Sequence, residues 1–262
     1  MGRFHRHDDG TVHTHDHSDP ENHGHEHHDH GDHSGYETGS QRIDVLESIF
    51  AENDVRADYN RKAFESNGIR ALNLMSSPGS GKTTVLGATL DELAGEFAVG
   101  VIEGDIATDL DVAKLGGRGA QISLLNTGNG FGGECHLDAP MVNRALQGLD
   151  LGQLDLVIIE NVGNLVCPAE FDVGEHAKAM VYSVTEGDDK PLKYPVMFRA
   201  VDVVLLNKID LVPYLDVDVD SYMARVREVN PTATILPVSA RTGAGMSAWF
   251  GWLRRFIADP TT

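Results

Sequence analysis

Residues 76–84, Ser76-Ser77-Pro78-Gly79-Ser80-Gly81-Lys82-Thr83-Thr84, have the types and spacing of a loop that wraps phosphate. The pattern departs from GxxxxGK[ST] only at its first position, where Ser76 stands for glycine. Gly79 and Gly81 let backbone N–H groups curve around a β-phosphate, with Pro78, Ser80 and Thr84 completing the loop, and the helix N-terminus beyond adds its dipole. Lys82 is expected to bridge the β- and γ-phosphates and the Thr83 hydroxyl to ligate Mg²⁺. Asn207-Lys208-Ile209-Asp210, about 125 residues downstream, reads the base. The Asp210 carboxylate would accept from guanine N1–H and its exocyclic amine. Adenine offers no such donor pair, and a site built for hydrogen bonds rejects the wrong partner by about 10⁴–10⁵. Asn207 would brace the loop, the Lys208 stem would lie over the purine, and a backbone N–H at Ser239-Ala240 would meet guanine O6. GTP is the expected nucleotide.

Two acidic strand ends lie between these motifs. In Glu103-Gly104-Asp105, Asp105 is the candidate on the Mg²⁺ side, and Thr108, Asp109 and Asp111 follow in an expected switch. Glu160-Asn161-Val162-Gly163 resembles the DxxG switch with Glu for Asp. Gly163 would donate its N–H to the γ-phosphate and move on hydrolysis. No Gln or Arg stands out to position water, so the catalytic base is unassigned and slow intrinsic hydrolysis is expected.

Metal chemistry enters at two places. Eleven of the thirteen histidines fall within the first 33 residues, among them His13, His15, His17, His23, His25, His27, His28, His30 and His33, interleaved with Asp, Gly and Ser. Neutral imidazole suits zinc, copper and nickel. The readings are a metal store or a purification remnant; the alternation with Asp, unlike an unbroken run, favours the store. The second place holds Cys135 beside His136, and Cys167, four residues after Gly163. The two cysteines are either inert buried thiols or, with His136, ligands for Ni²⁺ or Zn²⁺. Loss of a γ-phosphate would shift a ligand placed so close behind the second switch.

These groups need a scaffold. Short apolar runs at 71–75, 97–103, 122–125, 154–160, 179–185, 201–207 and 234–239 read as seven strands. Runs that are continuous, not alternating, indicate a mostly parallel sheet covered by helices on both faces, an α/β fold of the P-loop NTPase class. Ile43, Leu46, Ile49 and Phe50 start one or two amphipathic helices over 43–68, with Gly68 as a stop. A helix begins near Thr83, and in 245–257 Trp249, Trp252, Leu253 and Phe256 are expected to pack on the sheet. The charged loop 186–195 is an ordered surface excursion or a contact surface, the former favoured.

Residues 1–40 are expected to form a disordered, metal-binding tail, and 41–262 one GTPase domain with an N-terminal helical segment. The first 33 residues hold eight acids and two arginines, and so carry −6 of the formal −19. A flexible tail of that length reaches about 30–35 Å, enough to find a site on its own domain. The acidic body argues against nucleic acid or an anionic membrane as partner. No apolar run spans a bilayer and no secretory signal is visible, so the cytoplasm is the expected compartment, where disulfides do not persist.

SSPGSGKTT, VIEGD, NTG…CHLDA, IIENVGNLVCPAEFDVGE, SVTEGDDKPLKYP, LLNKIDLVPY and REVNP, spread over about residues 43–257, resemble the HypB family of hydrogenase nickel-incorporation GTPases. The resemblance implies a SIMIBI-type GTPase that delivers Ni²⁺ to the [NiFe]-hydrogenase large subunit alongside a zinc-containing HypA-type chaperone. It also implies a GTP-favoured homodimer with Cys135, His136 and Cys167 as metal ligands near the subunit interface. Some members carry an N-terminal cysteine motif that this chain lacks, and the histidine tail would substitute as a weaker store. A few extra residues, FGGE or similar, separate Asn126-Thr127-Gly128 from Cys135. One rival is a urease-type nickel GTPase, which typically has Cys-Pro-His where this chain has Cys167-Pro168-Ala169. The other is a passive storage protein with a decayed GTPase domain, against which Lys82, Thr83, Asp105 and Asp210 all stand.

Overall fold

The computed structural model describes residues 5–6, 12–13, 38–104, 115–125 and 136–259. The chain divides into two units, Met1–Ile43 and Asp44–Thr262. In the first, His5–Arg6 pairs antiparallel with Val12–His13, His5 opposite His13. Val12 is β-branched, which favours an extended backbone there. His15, His17, His23, His25, His27, His28, His30 and His33 lie outside the described residues.

Helix α1 (Thr38–Ser66) is one continuous helix where one or two were expected, and it starts inside the stretch assigned to the tail. Gly68, in the left-handed region at φ 70°, follows it. All seven expected strands form: β1 (Arg70–Ser76), β2 (Val99–Glu103), β3 (Gln121–Leu124), β4 (Leu156–Glu160), β5 (Ala177–Ser183), β6 (Val203–Asn207) and β7 (Thr234–Pro237). They make one sheet in the order β3-β2-β4-β1-β5-β6-β7, and every pairing is parallel. Every residue of β1, β2, β4 and β6 is buried, which is why their sequences are continuous apolar runs rather than alternating ones.

The connecting helices are α2 (Lys82–Leu93), α3 (Ala139–Leu146), α4 (Cys167–Glu170), α5 (Lys190–Lys193), α6 (Pro195–Arg199), α7 (Val219–Val229) and α8 (Met246–Ala258). On one part of the core, Leu86 and Leu90 of α2 and Trp249, Leu253 and Phe256 of α8 cluster with strand residues such as Leu72, Val101 and Leu205. On another, Phe64 of α1 and Val142 and Leu146 of α3 cluster with Ile102, Val157 and Ile159. Helices α5 and α6 make the 186–195 loop largely ordered, as favoured from sequence.

Two consequences bear on the site. A parallel sheet delivers all its strand C-termini to one edge, so the ends of β1, β2, β4 and β6 collect there. Register then places Glu103 directly beside Glu160, and Ser183 beside Asn207. Helix α2, which continues from the phosphate loop, is also locked from behind: buried Trp249 donates its Nε1–H to Thr89 Oγ1 at 2.9 Å, and that hydroxyl donates to Val85 O at 2.8 Å. Among the described residues no helix is long and apolar enough to cross a membrane.

Thr89→Val keeps the volume and removes the acceptor of a buried N–H. Its unfolding free energy should fall by about 1–3 kcal/mol in urea denaturation. An unchanged value would show that Trp249 finds another partner.

Candidate functional site

Between β1 and α2 the chain turns through Gly79 (φ 76°) and Gly81 (φ 99°). A Cβ on Gly81 would also fall 2.6 Å from Asn207 Nδ2, so glycine is required both by backbone conformation and by space. Residues 76–84 and Gly163 line a cavity of about 220 Å³. Gly163 closes one side against Pro78, whose Cα would stand 3.3 Å from a Cβ there.

Within this loop Lys82 Nζ donates to Glu160 Oε1 at 2.6 Å, and Thr83 Oγ1 donates to the same oxygen at 2.9 Å. The Lys82 and Glu160 side chains are 4% and 0% exposed, so the pair is shielded from water. A buried ion pair is held by its geometry, and removing one member leaves an uncompensated charge worth about 3–5 kcal/mol. Among the described residues, buried Ser80 Oγ and Glu160 Oε2 lack a hydrogen-bond partner. An unmatched donor and an unmatched carboxylate oxygen beside Lys82 and Thr83 fit a phosphate with its hydrated Mg²⁺. Asp105, the other expected Mg²⁺-side residue, lies outside the described residues, immediately after Gly104.

A second cavity, about 320 Å³, shares Gly81 and Thr84 with the first and adds Asn207, Lys208, Asp210, Leu211, Ala240 and Arg241. Asn207 Nδ2 donates to Ser80 O at 2.9 Å, which ties the base loop to the phosphate loop. Lys208, at φ 64°, donates from Nζ to Gly79 O at 2.6 Å, so its stem spans between the two loops. Ser239 Oγ donates to Asp210 Oδ1 at 2.6 Å and so fixes the carboxylate that lines this cavity. Ser239 N donates to Ala244 O at 2.8 Å and Ala240 N to Asn207 Oδ1 at 3.1 Å, which brace the loop beside the cavity.

The metal constellation is described at two of its three members. Cys135 lies outside the described residues, and among the described residues no three of His, Cys, Asp and Glu gather as a metal-binding group. Cys167 is half-buried at the start of α4. The His136 ring packs on Phe171, just past α4, with centroids 4.2 Å apart, and Phe171 packs on Phe50 of α1 at 5.2 Å. The segments that carry the candidate ligands His136 and Cys167 are therefore neighbours. Helix α1 clamps both: Asn53 accepts from Ala139 N (2.9 Å) and donates to Asp172 O (2.8 Å). Asn60 donates to Ala139 O (2.9 Å) and Val173 O (3.0 Å). His176, the one other histidine beyond the tail, serves β1: its Nδ1 accepts from Ala71 N at 2.9 Å. Burial, then the Arg70 and Arg61 guanidiniums, hold its pKa below the usual imidazole value.

Sequence reasoning missed several of these groups. Glu186 was read only as part of a charged loop, yet it accepts from Ser77 Oγ and, at 2.9 Å, from Ser183 N, bracing the phosphate loop from β5. Arg241 enters the base cavity. Arg118, ion-paired with Asp91, lines a further cavity of about 320 Å³ with Thr83 and Thr84. The buried asparagines of α1 carry no motif. Their one sequence signal is an amide at 53 and 60, a spacing of two helical turns.

Residues 70–237 match the family model for the CobW/HypB/UreG nucleotide-binding domain. A hydrogenase maturation factor HypB from Azotobacter chroococcum is 51% identical over 219 residues, covering 82% of this chain and 70% of that protein. The crystal structure of HypB from Archaeoglobus fulgidus superposes with a TM-score of 0.73 at 37% identity, covering 79% of this chain and 99% of that one. HypB from Helicobacter pylori, solved in complex with nickel, matches with a TM-score of 0.73 at 35% identity, over 79% and 95% of the two chains.

Lys82→Ala should abolish nucleotide hydrolysis and lower stability without nucleotide by about 3–5 kcal/mol, because Glu160 keeps a buried charge with no cation. Turnover assays and urea unfolding check the two effects. Retained hydrolysis would overturn the phosphate-loop assignment.

Proposed function

The chain belongs to the HypB family, and from that membership we propose that it is a metallochaperone GTPase that binds nickel and uses GTP binding and hydrolysis to control delivery of the metal into the large subunit of a [NiFe]-hydrogenase. One observation carries the gating. The strand end at Glu160, which grips Lys82 and Thr83, leads within a few residues through Gly163 to Cys167. A change at the phosphate loop therefore starts seven residues from a thiol.

In this reading Lys82 and Thr83 exchange Glu160 for phosphate oxygens and Mg²⁺. Thr83 and Asp105 would hold the Mg²⁺, which would supply positive charge against the phosphates. Gly163, already against Pro78, presents its N–H to the γ-phosphate. Asp210, fixed by Ser239, reads guanine, and Lys208 flanks the base. Intrinsic hydrolysis is slow, as suits a switch. Nickel is the cargo at Cys135, His136 and Cys167, and Zn²⁺ suits the same donors. Val166, 54% exposed beside Cys167, leaves apolar surface there for the second subunit of a GTP-dependent homodimer. A zinc-containing HypA-type chaperone and the hydrogenase large subunit are the proposed protein partners, in the cytoplasm, with the histidine tail as reservoir.

The test is a Ni²⁺ titration of the whole chain with GDP and with a non-hydrolysable GTP analogue, followed by thiolate-to-nickel charge-transfer absorbance. The chain has only two cysteines, both outside the tail, so the tail does not contribute to the band. An affinity that differs between the two states is expected; no band in either state would restrict nickel to the tail and remove Cys135, His136 and Cys167 from the reading. Asp210→Asn should erode the preference for GTP over other purine nucleotides by at least about a hundredfold in competition binding. An unchanged preference would assign base reading to another residue.

A further inference from the structure

A chain of buried polar side chains runs from the nucleotide strand end to both metal-bearing segments. Asn161, the residue after Glu160, is fully buried. Its Oδ1 accepts from Val162 N at 2.9 Å and from Leu137 N, one residue past His136, at 3.0 Å. Its Nδ2 donates to Asn73 Oδ1 at 3.3 Å, and Asn73 Nδ2 donates to Glu175 Oε1 at 3.2 Å. Glu175 Oε2 then accepts from Val173 N at 2.8 Å, on the segment that follows Cys167. Leu137 is wedged further: a Cβ on Gly104 would fall 2.5 Å from its Cδ1, and Gly104 N donates to Glu160 O at 3.0 Å.

The same two segments are thus held by two different kinds of anchor. On one side Asn53 and Asn60 belong to α1, and these hydrogen bonds reach the segments around His136 and Cys167 and α3, none of them the phosphate loop. On the other, Asn161 is covalently next to the carboxylate that must let go of Lys82 and Thr83 when phosphate enters. Buried amides resist being parted from their partners, because each unmade bond costs about 1–3 kcal/mol. Displacement of Asn161 therefore draws Leu137 with it, or is passed through Asn73 and Glu175 to Val173.

We propose that Asn161, acting through Leu137 on one arm and Asn73 and Glu175 on the other, is the positioning residue that couples the Glu160-to-phosphate exchange to the geometry around His136 and Cys167. The inference rests on the nickel-gating reading above. It assigns the coupling to named groups and gives α1 the opposite role, that of a fixed clamp.

The experiment uses the whole chain and its Asn161→Ala, Asn73→Ala and Asn60→Ala variants. The readout is the ratio of Ni²⁺ affinities, by charge-transfer absorbance, with a non-hydrolysable GTP analogue and with GDP. Thermal melts report folding, and a fluorescent GTP analogue reports nucleotide affinity. The wild-type ratio should be at least about fivefold, and Asn161→Ala and Asn73→Ala should bring it below about twofold. Asn73, inside β1, should do so with nucleotide affinity unchanged, and it decides the matter if Asn161→Ala does not fold. Asn60→Ala, equally buried, should weaken nickel binding alike in both states and leave the ratio intact. A ratio that persists in Asn73→Ala, or one that Asn60→Ala abolishes as well, overturns the relay while the gating reading stands. A wild-type ratio near one overturns the gating reading and the relay with it.

Discussion

A lysine ammonium and a glutamate carboxylate, both shielded from water, meet at 2.6 Å where β4 ends and α2 begins. Much of the molecule follows from keeping that pair in place. Neither charge tolerates isolation in such a site, so the strand end and the helix start must stay aligned. Parallel pairing of β1 with β4 supplies the alignment, since residues Leu74 and Glu160 stand opposite each other and the phosphate loop leaves β1 two residues on. The lock between Trp249 and Thr89 fixes α2 two turns further along. The pair is also the point at which a nucleotide must intervene, because Lys82 and Thr83 spend their donors on one carboxylate oxygen.

The base loop is coupled to the same centre by short-range hydrogen bonding rather than by packing. Asn207 reaches Ser80 O and Lys208 reaches Gly79 O, so the two halves of the nucleotide site share backbone atoms of one turn. Glu186 adds a third support, from β5 to Ser77. A loop rich in glycine has little side-chain packing of its own. Here its shape is imposed by three polar side chains arriving from other strands. That arrangement suits a loop that must bind a polyanion closely and keep the same curve with and without it.

The segments around His136 and Cys167 depend on amides in much the same way. Asn53, Asn60, Asn73 and Asn161 are all buried, and each makes hydrogen bonds in at least two directions. Glu175 joins them with its carboxyl pushed above the usual range by burial, against the pull of the Lys178 ammonium 3.3 Å away. Apolar residues at these positions would pack, but they would not hold irregular backbone, whose N–H and C=O groups need partners away from water. The ligand segments are irregular backbone crossing a helix face, and the asparagines are how that becomes affordable.

Patterns local in the chain were readable without coordinates. Continuous apolar runs identified all seven strands, because a sheet covered on both faces selects apolar residues at every position. Gly79, Gly81, Lys82 and Thr83 stood out because phosphate binding calls for those types at fixed spacing, and Asn207 and Asp210 because a guanine site would call for them at a strand end. Sequence also separated the histidine tail from the body by composition. What it did not contain was the partner of each polar side chain. Nothing in residues 160 and 82 announces that they meet, or that Glu186 supports Ser77, or that Asn60 of a long surface-like helix is buried against residues 79 and 113 positions away. Side-chain type and strand periodicity are properties of neighbours in sequence. Burial and hydrogen-bond partnership are set by which strands lie side by side and in what register, and only the folded chain decides that.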